Sequence, residues 1–465
     1  MDFSKEIFEA HETLSQCSAR FLEFVKHNPE CLKRSNYGAV LNPNVHSGAT
    51  QPWPVFINQR MRQEMKEATI KVADLIKSIP QRLFSYDIAT ISWYYGVPEE
   101  LVKIQLQGIN DKYLANLLGR GDFIFSPSGL KCLEYNISAG LGGWQIAFLE
   151  SLYLETPVIS KFLQEYRVKT VNKNLNSILM EHLLDNAVEK FAHDSHCNEI
   201  NIAIAIREYR NNPEQNMVEK HFNQLYNHVL QLKNIHLQGE VILCDFHHFN
   251  IHDDCIFYED KRIHGLVEFY QGEVPPEIME VFEKGNVLLY DGPITGLLSN
   301  KLNMAILSES EDSDLFTLQE REVIKKYIPW TRKLTAGKVK FGAKTFDLQD
   351  LVLSNREKMV LKPAEGLGGE DVFIGRYTPQ TQWEELIKNA TGERIWVVQE
   401  YTESFPFLFQ AGDNGCSEHH VIWGLIVFGN RYAGGYLRVL PKGIGKGVVN
   451  SFQGAAKSVI LEVEE

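Results

Sequence analysis

The chain has 465 residues, more than one simple core holds, so two or three structural units are expected. Hydrophobic residues make up 44% and charged residues 23%, an ordinary globular balance, and the net charge of −13 without a basic tract excludes general affinity for nucleic acid. Seven scattered cysteines without a CxxC pair argue against a disulfide framework or zinc ribbon and fit a reducing cytoplasm, and no apolar run approaches membrane-spanning length.

Residues 1–115 read as mainly helical. Phe3, Ile7, Phe8, Leu14, Phe21, Phe24 and Val25 recur near helical spacing, and QRMRQEMKEATIKVADLIKSI at 59–79 is strongly amphipathic. An Asn-, Gly- and Pro-rich loop at 36–56 lies between them. Then comes GRGDFIFSPSGLKCLEYN at 119–136, two strands joined by a Pro-Ser-Gly turn at 127–129. It carries Arg120, Asp122, Glu134 and Asn136.

Glu134 and Asn136 are two apart, so both side chains leave one face of their strand, and Asp122 across the turn can point to the same face. Two carboxylates and an amide oxygen suit Mg²⁺ that keeps waters and phosphate oxygens as its other ligands. Arg120, two before Asp122, reaches toward an anionic oxygen at the same place. The same residues also make an ordinary hairpin with solvent-facing charges. SAGLGGWQ at 138–145 follows, either bordering a substrate site or simply turning into the helix IAFLESLYL.

In the middle of the chain EINIAIAI (199–206) reads as a buried strand, MVEKHFNQLYNHVLQL (217–232) as a helix and EVILCDF (240–246) as a second strand. That is a βαβ unit of a Rossmann-like layer, without a GxGxxG dinucleotide fingerprint. CIFYEDKRIHGLVEFY (255–270) alternates like a hairpin turning at 259–261. The run CDFHHFNIHDD (244–254) holds His247, His248, His252, Asp245 and Asp253 but no HExxH or facial-triad spacing, and is expected to be a polar loop.

Further on, Thr317 and Glu320 form a capping box at the start of the helix in FTLQEREVIKKYIPWTRKL. KMVLKPAEGLGGEDVFIG (358–375) is a strand, a Gly-rich turn and a second strand. Gly366, Gly368 and Gly369 let backbone N–H groups approach a phosphate, and Lys362 beside them supplies a point charge. It is not a Walker loop, because GK[ST] and a following helix are missing. RIWVVQEY (394–401) is another strand, and Arg438 in GGYLRVLPKG is a candidate substrate contact.

In combination these motifs resemble the ATP-grasp ligases, in the circularly permuted order of the branch that includes glutathionylspermidine synthetase. The resemblance covers about 116–145 and 280–465, including GNVLLYDG and YIPWTRKL. It implies an α/β ATP-grasp fold with a helical N-terminal region (1–115), a Mg²⁺-binding strand pair (116–164), a small Rossmann-like pre-ATP-grasp α/β domain (165–285) and an ATP-binding part with a Gly-rich lid (286–465). Lys301, after Asn300, resembles the family's upstream lysine and Lys362 its second; Gln399 and Glu400 resemble the segment that reads adenine and ribose.

The implied cofactors are ATP and Mg²⁺, with Asp122, Glu134 and Asn136 on the metal, and the implied catalytic residue is Arg120, steadying developing charge. The implied activity is amide-bond formation between a small-molecule or peptide carboxylate and an amine, through an acyl phosphate. Homodimerisation through the helical region is a further expectation. The family's arginine pair after the α/β domain is not evident, since LVEFYQGEVP has Glu268 and Tyr270 there, so the acid substrate differs or is bound differently. A nucleotide-sensing protein without turnover and a phosphotransferase remain alternatives.

Overall fold

The computed structural model describes residues 3–41, 49–140, 143, 145–192, 198–207, 209–269, 274–366, 368–390, 394–444 and 446–465. Leu141, Gly142 and Trp144 of the Gly-rich loop, together with Tyr270 and Leu367, lie outside them. The strands in chain order are β1 (Val55–Ile57), β2 (Leu118–Ser126), β3 (Gly129–Ile137), β4 (Asn201–Ala205), β5 (Val241–Cys244), β6 (Phe249–His252), β7 (Cys255–Tyr258), β8 (Lys261–Glu268) and β9 (Leu288–Leu289). They continue as β10 (Thr331–Lys333), β11 (Lys338–Phe341), β12 (Lys344–Asp347), β13 (Met359–Pro363), β14 (Phe373–Ile374), β15 (Trp396–Glu400), β16 (Phe407–Ala411), β17 (Gly415–Phe428), β18 (Arg431–Pro441) and β19 (Ala456–Glu462).

The large sheet runs β1-β19-β18-β17-β2-β3, with β16 on the far part of β17. All its pairs are antiparallel except β1 with β19. Helix Gln59–Arg82 lays Met61, Met65, Ala68, Val72, Leu75, Ile76 and Ile79 against it, the spacing of one helical face. Each fully buried Leu, Ile or Met there contributes about 1.5–3 kcal/mol of transfer free energy. The N-terminal region carries several helices, and its strand β1 completes the large sheet by pairing with β19 from the other end of the chain.

The middle of the chain forms a second sheet, β5-β4-β8-β7-β6, with β9 beside β8. Every residue of β4 is buried, and its parallel neighbours β5 and β8 cover both edges, which explains the unbroken apolar run. The connecting helix is Pro213–Leu232, starting before 217 because Asn212 and Gln215 close a capping box with Pro213 at the first position. Phe249–His252, expected as polar loop, pair with β7 as an exposed edge strand. Three of its four residues are exposed, so no apolar alternation marks the strand in the sequence.

A third sheet, β10-β15-β13-β14, belongs to the C-terminal third. Its helix-covered face has a hydrophobic cluster of its own, including Leu334, Leu348, Leu351, Val352, Trp383 and Val398, distinct from the main core. The Thr317–Glu320 capping box forms as expected. Among the described residues no helix is long and apolar enough to cross a membrane.

Helix Ile146–Glu155 carries Glu150, whose carboxyl is pushed up to about 8 by burial and by nearby Glu462, against one hydrogen bond from Asn172. A raised native value means that the folded state holds a proton the unfolded chain releases, so this stabilisation is complete below about pH 4.5 and is lost as pH rises to about 8. Glu150→Gln should therefore raise stability at pH 8.5 by the order of a few kcal/mol and change little at pH 5. Urea midpoints at the two pH values check this; equal pH slopes in both proteins would refute it.

Candidate functional site

The β2–β3 hairpin sets Arg120 opposite Asn136 and Asp122 opposite Glu134. All four therefore share one face, as the spacing predicts. One residue further the register slips: Phe123 pairs with Cys132, leaving Leu133 over as a bulge. The Leu133 carbonyl, out of the ladder, becomes an acceptor for groups from the third sheet.

Asp122 is 3% exposed and lies between two guanidinium groups. Arg120 grips it with Nε 2.9 Å from Oδ1 and Nη2 3.2 Å from Oδ2. From β18, Arg438 Nη2 lies 2.6 Å from Oδ1. Burial raises the carboxyl's pKa, but Arg120 and Arg438 together outweigh it and hold the group well below the usual carboxylate range. Arg120 also donates to Tyr436 Oη at 3.1 Å. Gly424 across the sheet makes room for both, since a Cβ there would stand 3.2 Å from Arg120 Cδ and 3.1 Å from Tyr436.

The three expected metal ligands differ in how they are engaged. Asp122 spends its oxygens on the arginines, whereas the side chain of Glu134 is 29% exposed and Asn136 Nδ2 is buried without a hydrogen-bond partner. Among the described residues no group of three or more His, Cys, Asp or Glu is placed to hold a metal ion. Glu134 and Asn136 nonetheless present hard donors side by side, a fit for Mg²⁺ that takes its remaining ligands from water and phosphate.

Two lysines approach Glu134 from above. Lys301, at the start of helix Leu302–Glu309, has Nζ 3.9 Å from Glu134 Oε2 and donates to the Gly366 carbonyl at 2.8 Å. Lys362, in β13 and 7% exposed, donates to Gln399 Oε1 at 2.8 Å and to the Leu133 carbonyl at 3.2 Å. Burial pulls its pKa down to about 8, with Glu134 opposing and Lys301 adding to the fall.

Gln399 was expected to face adenine or ribose. It lines the cleft, and its side chain donates to Thr331 Oγ1 and the Leu133 carbonyl while accepting from Lys362. It positions the lysine. Glu400 is half-buried at the end of β15 and lines the cleft as well, its pKa raised by burial.

Gly366, Gly368 and Gly369 have φ of 122°, 71° and 72°, the left-handed region that other residues enter only with strain. A Cβ on Gly369 would lie 2.9 Å from Val448, so the Gly-rich turn closes down on the segment at 447–450. Between the large sheet and the third sheet runs a cleft enclosing about 860 Å³, its open mouth included. Ile124, Leu133, Val360, Ile374 and Ile422 supply its apolar lining, and Tyr401, Thr402, Asp122, Glu134, Lys362 and Arg438 its polar lining.

Sequence reasoning missed Tyr436, and it left out Asn450, a tempting contact in GIGKGVVNSFQG that does line the cleft. Tyr436 was discoverable, being two residues before Arg438 and therefore on the same strand face. The 447–450 segment, set among glycines and lysines, carries no local sign that it packs on another turn.

No family model and no curated protein matches the sequence. Among solved structures, a glutathione synthetase-like effector from Globodera pallida superposes with a TM-score of 0.55 at 10% identity, over 92% of this chain and 95% of that one. The chain thus shares its overall fold with this effector. At such identity the likeness speaks for the fold alone. A putative gamma-glutamylcysteine synthetase from Methylobacillus flagellatus matches at TM-score 0.39 and 10% identity, over 84% of this chain and 88% of that one, too weakly to carry an argument.

Proposed function

We propose that this protein is an ATP-dependent carboxylate–amine ligase of the circularly permuted ATP-grasp type. The observation that carries this reading is the convergence of Lys301, Lys362 and Glu134 beneath a left-handed glycine turn, beside the polar lining of the cleft. A flat base fits against the apolar lining, and the triphosphate then lies along the lysines. The order of the motifs, with the metal strands before the lysines, supports the permuted arrangement.

Magnesium held by Glu134 and Asn136 would neutralise charge on the phosphates as the γ-phosphoryl moves. Lys301 and Lys362 orient the phosphate oxygens, and Gln399 keeps Lys362 from swinging away. A substrate carboxylate oxygen attacks the γ-phosphorus and ADP leaves. The amine nitrogen then attacks the acyl carbon, the carbon–oxygen bond to phosphate breaks, and the nitrogen gives up a proton to the medium. Arg120 and Arg438, fixed by Asp122, present positive charge to the oxyanion formed in this step. Closure of the Gly-rich turn excludes the water that would otherwise hydrolyse the acyl phosphate.

ADP release from Mg-ATP, measured against pooled carboxylates and amines with mass spectrometry of the products, tests this. Amine-dependent ADP release with a condensation product is expected. Phosphate retained on an acceptor would mean a phosphotransferase, and tight nucleotide binding without turnover in any pool a sensor; either result overturns the proposal.

Lys362→Ala should weaken ATP binding about 10- to 100-fold, the worth of a charge-assisted hydrogen bond. Because the lysine carries its proton only below about pH 8, wild-type affinity should fall as pH rises past that value. The variant should lack this fall, and calorimetric titrations at pH 7 and 9 check both. Unchanged affinity in the variant would remove Lys362 from the site.

A further inference from the structure

β3 is the last strand of the large sheet, so no further strand pairs with its outer edge. Side chains take up that edge in place of a strand. The Leu133 carbonyl accepts from Lys362 Nζ at 3.2 Å and from Gln399 Nε2 at 3.3 Å. At the end of the strand, Ser299 Oγ accepts from Ile137 N at 2.9 Å and donates to Ile137 O at 3.0 Å. Just beyond it, Asp291 Oδ2 accepts from Ala139 N at 2.8 Å and from Ser138 Oγ at 2.9 Å. Glu134 and Asn136 lie between these fastenings.

Asp291 is itself held rigidly. It is 6% exposed, its Oδ1 accepts from Gly292 N at 2.8 Å, and its backbone carbonyl accepts from Tyr113 Oη at 2.7 Å. Ser138 Oγ in turn accepts from Gly140 N at 3.1 Å, so one carboxylate sets the course of residues 138–140. Burial raises its pKa, opposed by hydrogen bonds from Ala139, Gly292, Ser138 and Thr295, with no lysine or arginine among the groups that act on it. A buried anion held by neutral donors alone is a poor source of net stability. What it supplies is a fixed exit from β3, directly after Asn136.

We propose that Asp291 is a positioning residue of the Mg²⁺ site: it stands outside the donor set and acts through residues 137–139 to hold Asn136 beside Glu134. Ser138 carries part of that restraint. The proposal rests on the assignment of Mg²⁺ to Glu134 and Asn136 in the ligase reading. Groups that orient metal ligands from behind are worth about 10- to 100-fold in metal affinity.

Calorimetry of the full chain with AMP-PNP, a non-hydrolysable ATP analogue, at a series of Mg²⁺ concentrations tests this without turnover. Wild-type affinity for the analogue should climb as Mg²⁺ is added. Asp291→Asn, which keeps the shape of the side chain, should move the Mg²⁺ midpoint upward about tenfold or more, and excess Mg²⁺ should restore the affinity. Without Mg²⁺ the variant should bind the analogue as the wild type does, because Lys301 and Lys362 are untouched. Ser138→Ala, at a half-buried position, should move the midpoint the same way by less, which keeps the proposal testable if the asparagine variant folds poorly. Ile204→Val in β4 lowers stability far along the chain from this segment and should leave the midpoint where it is. A wild-type midpoint in both Asp291→Asn and Ser138→Ala overturns the proposal and leaves the Mg²⁺ assignment standing. An equal loss of metal-free affinity in Asp291→Asn also overturns it. Wild-type binding indifferent to Mg²⁺ overturns the assignment itself, and the proposal with it.

Discussion

Glu134→Ala should lower turnover by about a thousandfold or more while leaving the protein folded. Metal-assisted charge neutralisation is worth several kcal/mol, and each 1.36 kcal/mol is tenfold in rate. Glu134 is also the anion that faces Lys301, 3.9 Å away, and it opposes the burial of Lys362. Its side chain is 29% exposed, so the substitution opens no apolar cavity and the melting temperature should move by only a few degrees. ADP release and thermal melts on the same preparation check both halves. Near-normal turnover in a folded variant would remove Glu134 from the metal site.

Asp122→Ala should act in the opposite way, chiefly on stability. Removing one member of a buried charge group costs about 3–5 kcal/mol, because here Arg120 and Arg438 would face each other without their shared anion. The native pKa of Asp122 is depressed, so its contribution is complete above the unfolded value near 3.9 and is lost as pH falls through the folded value. Urea unfolding at pH 7 reads the loss, and adding Arg438→Met to Asp122→Ala should restore part of it. An alanine variant as stable as wild type would mean that Asp122 is a metal ligand and not the anchor of the arginines.

What the sequence made legible was local. The β2–β3 hairpin follows from alternation and a Pro-Ser-Gly turn, and the shared face of Arg120, Asp122, Glu134 and Asn136 follows from period two. The βαβ unit was visible in the apolar run of β4, and the Thr317 cap in its own four residues. What stayed hidden depends on chain meeting chain. Nothing in VFI announces that β1 pairs with β19, some four hundred residues away. That Arg438 reaches Asp122 from β18, and that Lys362 on β13 donates to Gln399, could not be read from either local segment. In each case the partner lies on a distant strand.

The separate hydrophobic cluster between Leu334 and Val398 bears on how the molecule comes apart. A segment that keeps its apolar packing to itself opens and recloses as one cooperative unit, with its own free energy below that of global unfolding. Its amides should then exchange with solvent as a block. A nucleotide lodged between this unit and the large sheet would slow that block by mass action, by about 2.7 kcal/mol at a hundredfold excess over its dissociation constant. The cofactor would then be part of what joins two bodies whose cores do not merge, and emptying the cleft would loosen one of them without melting the other.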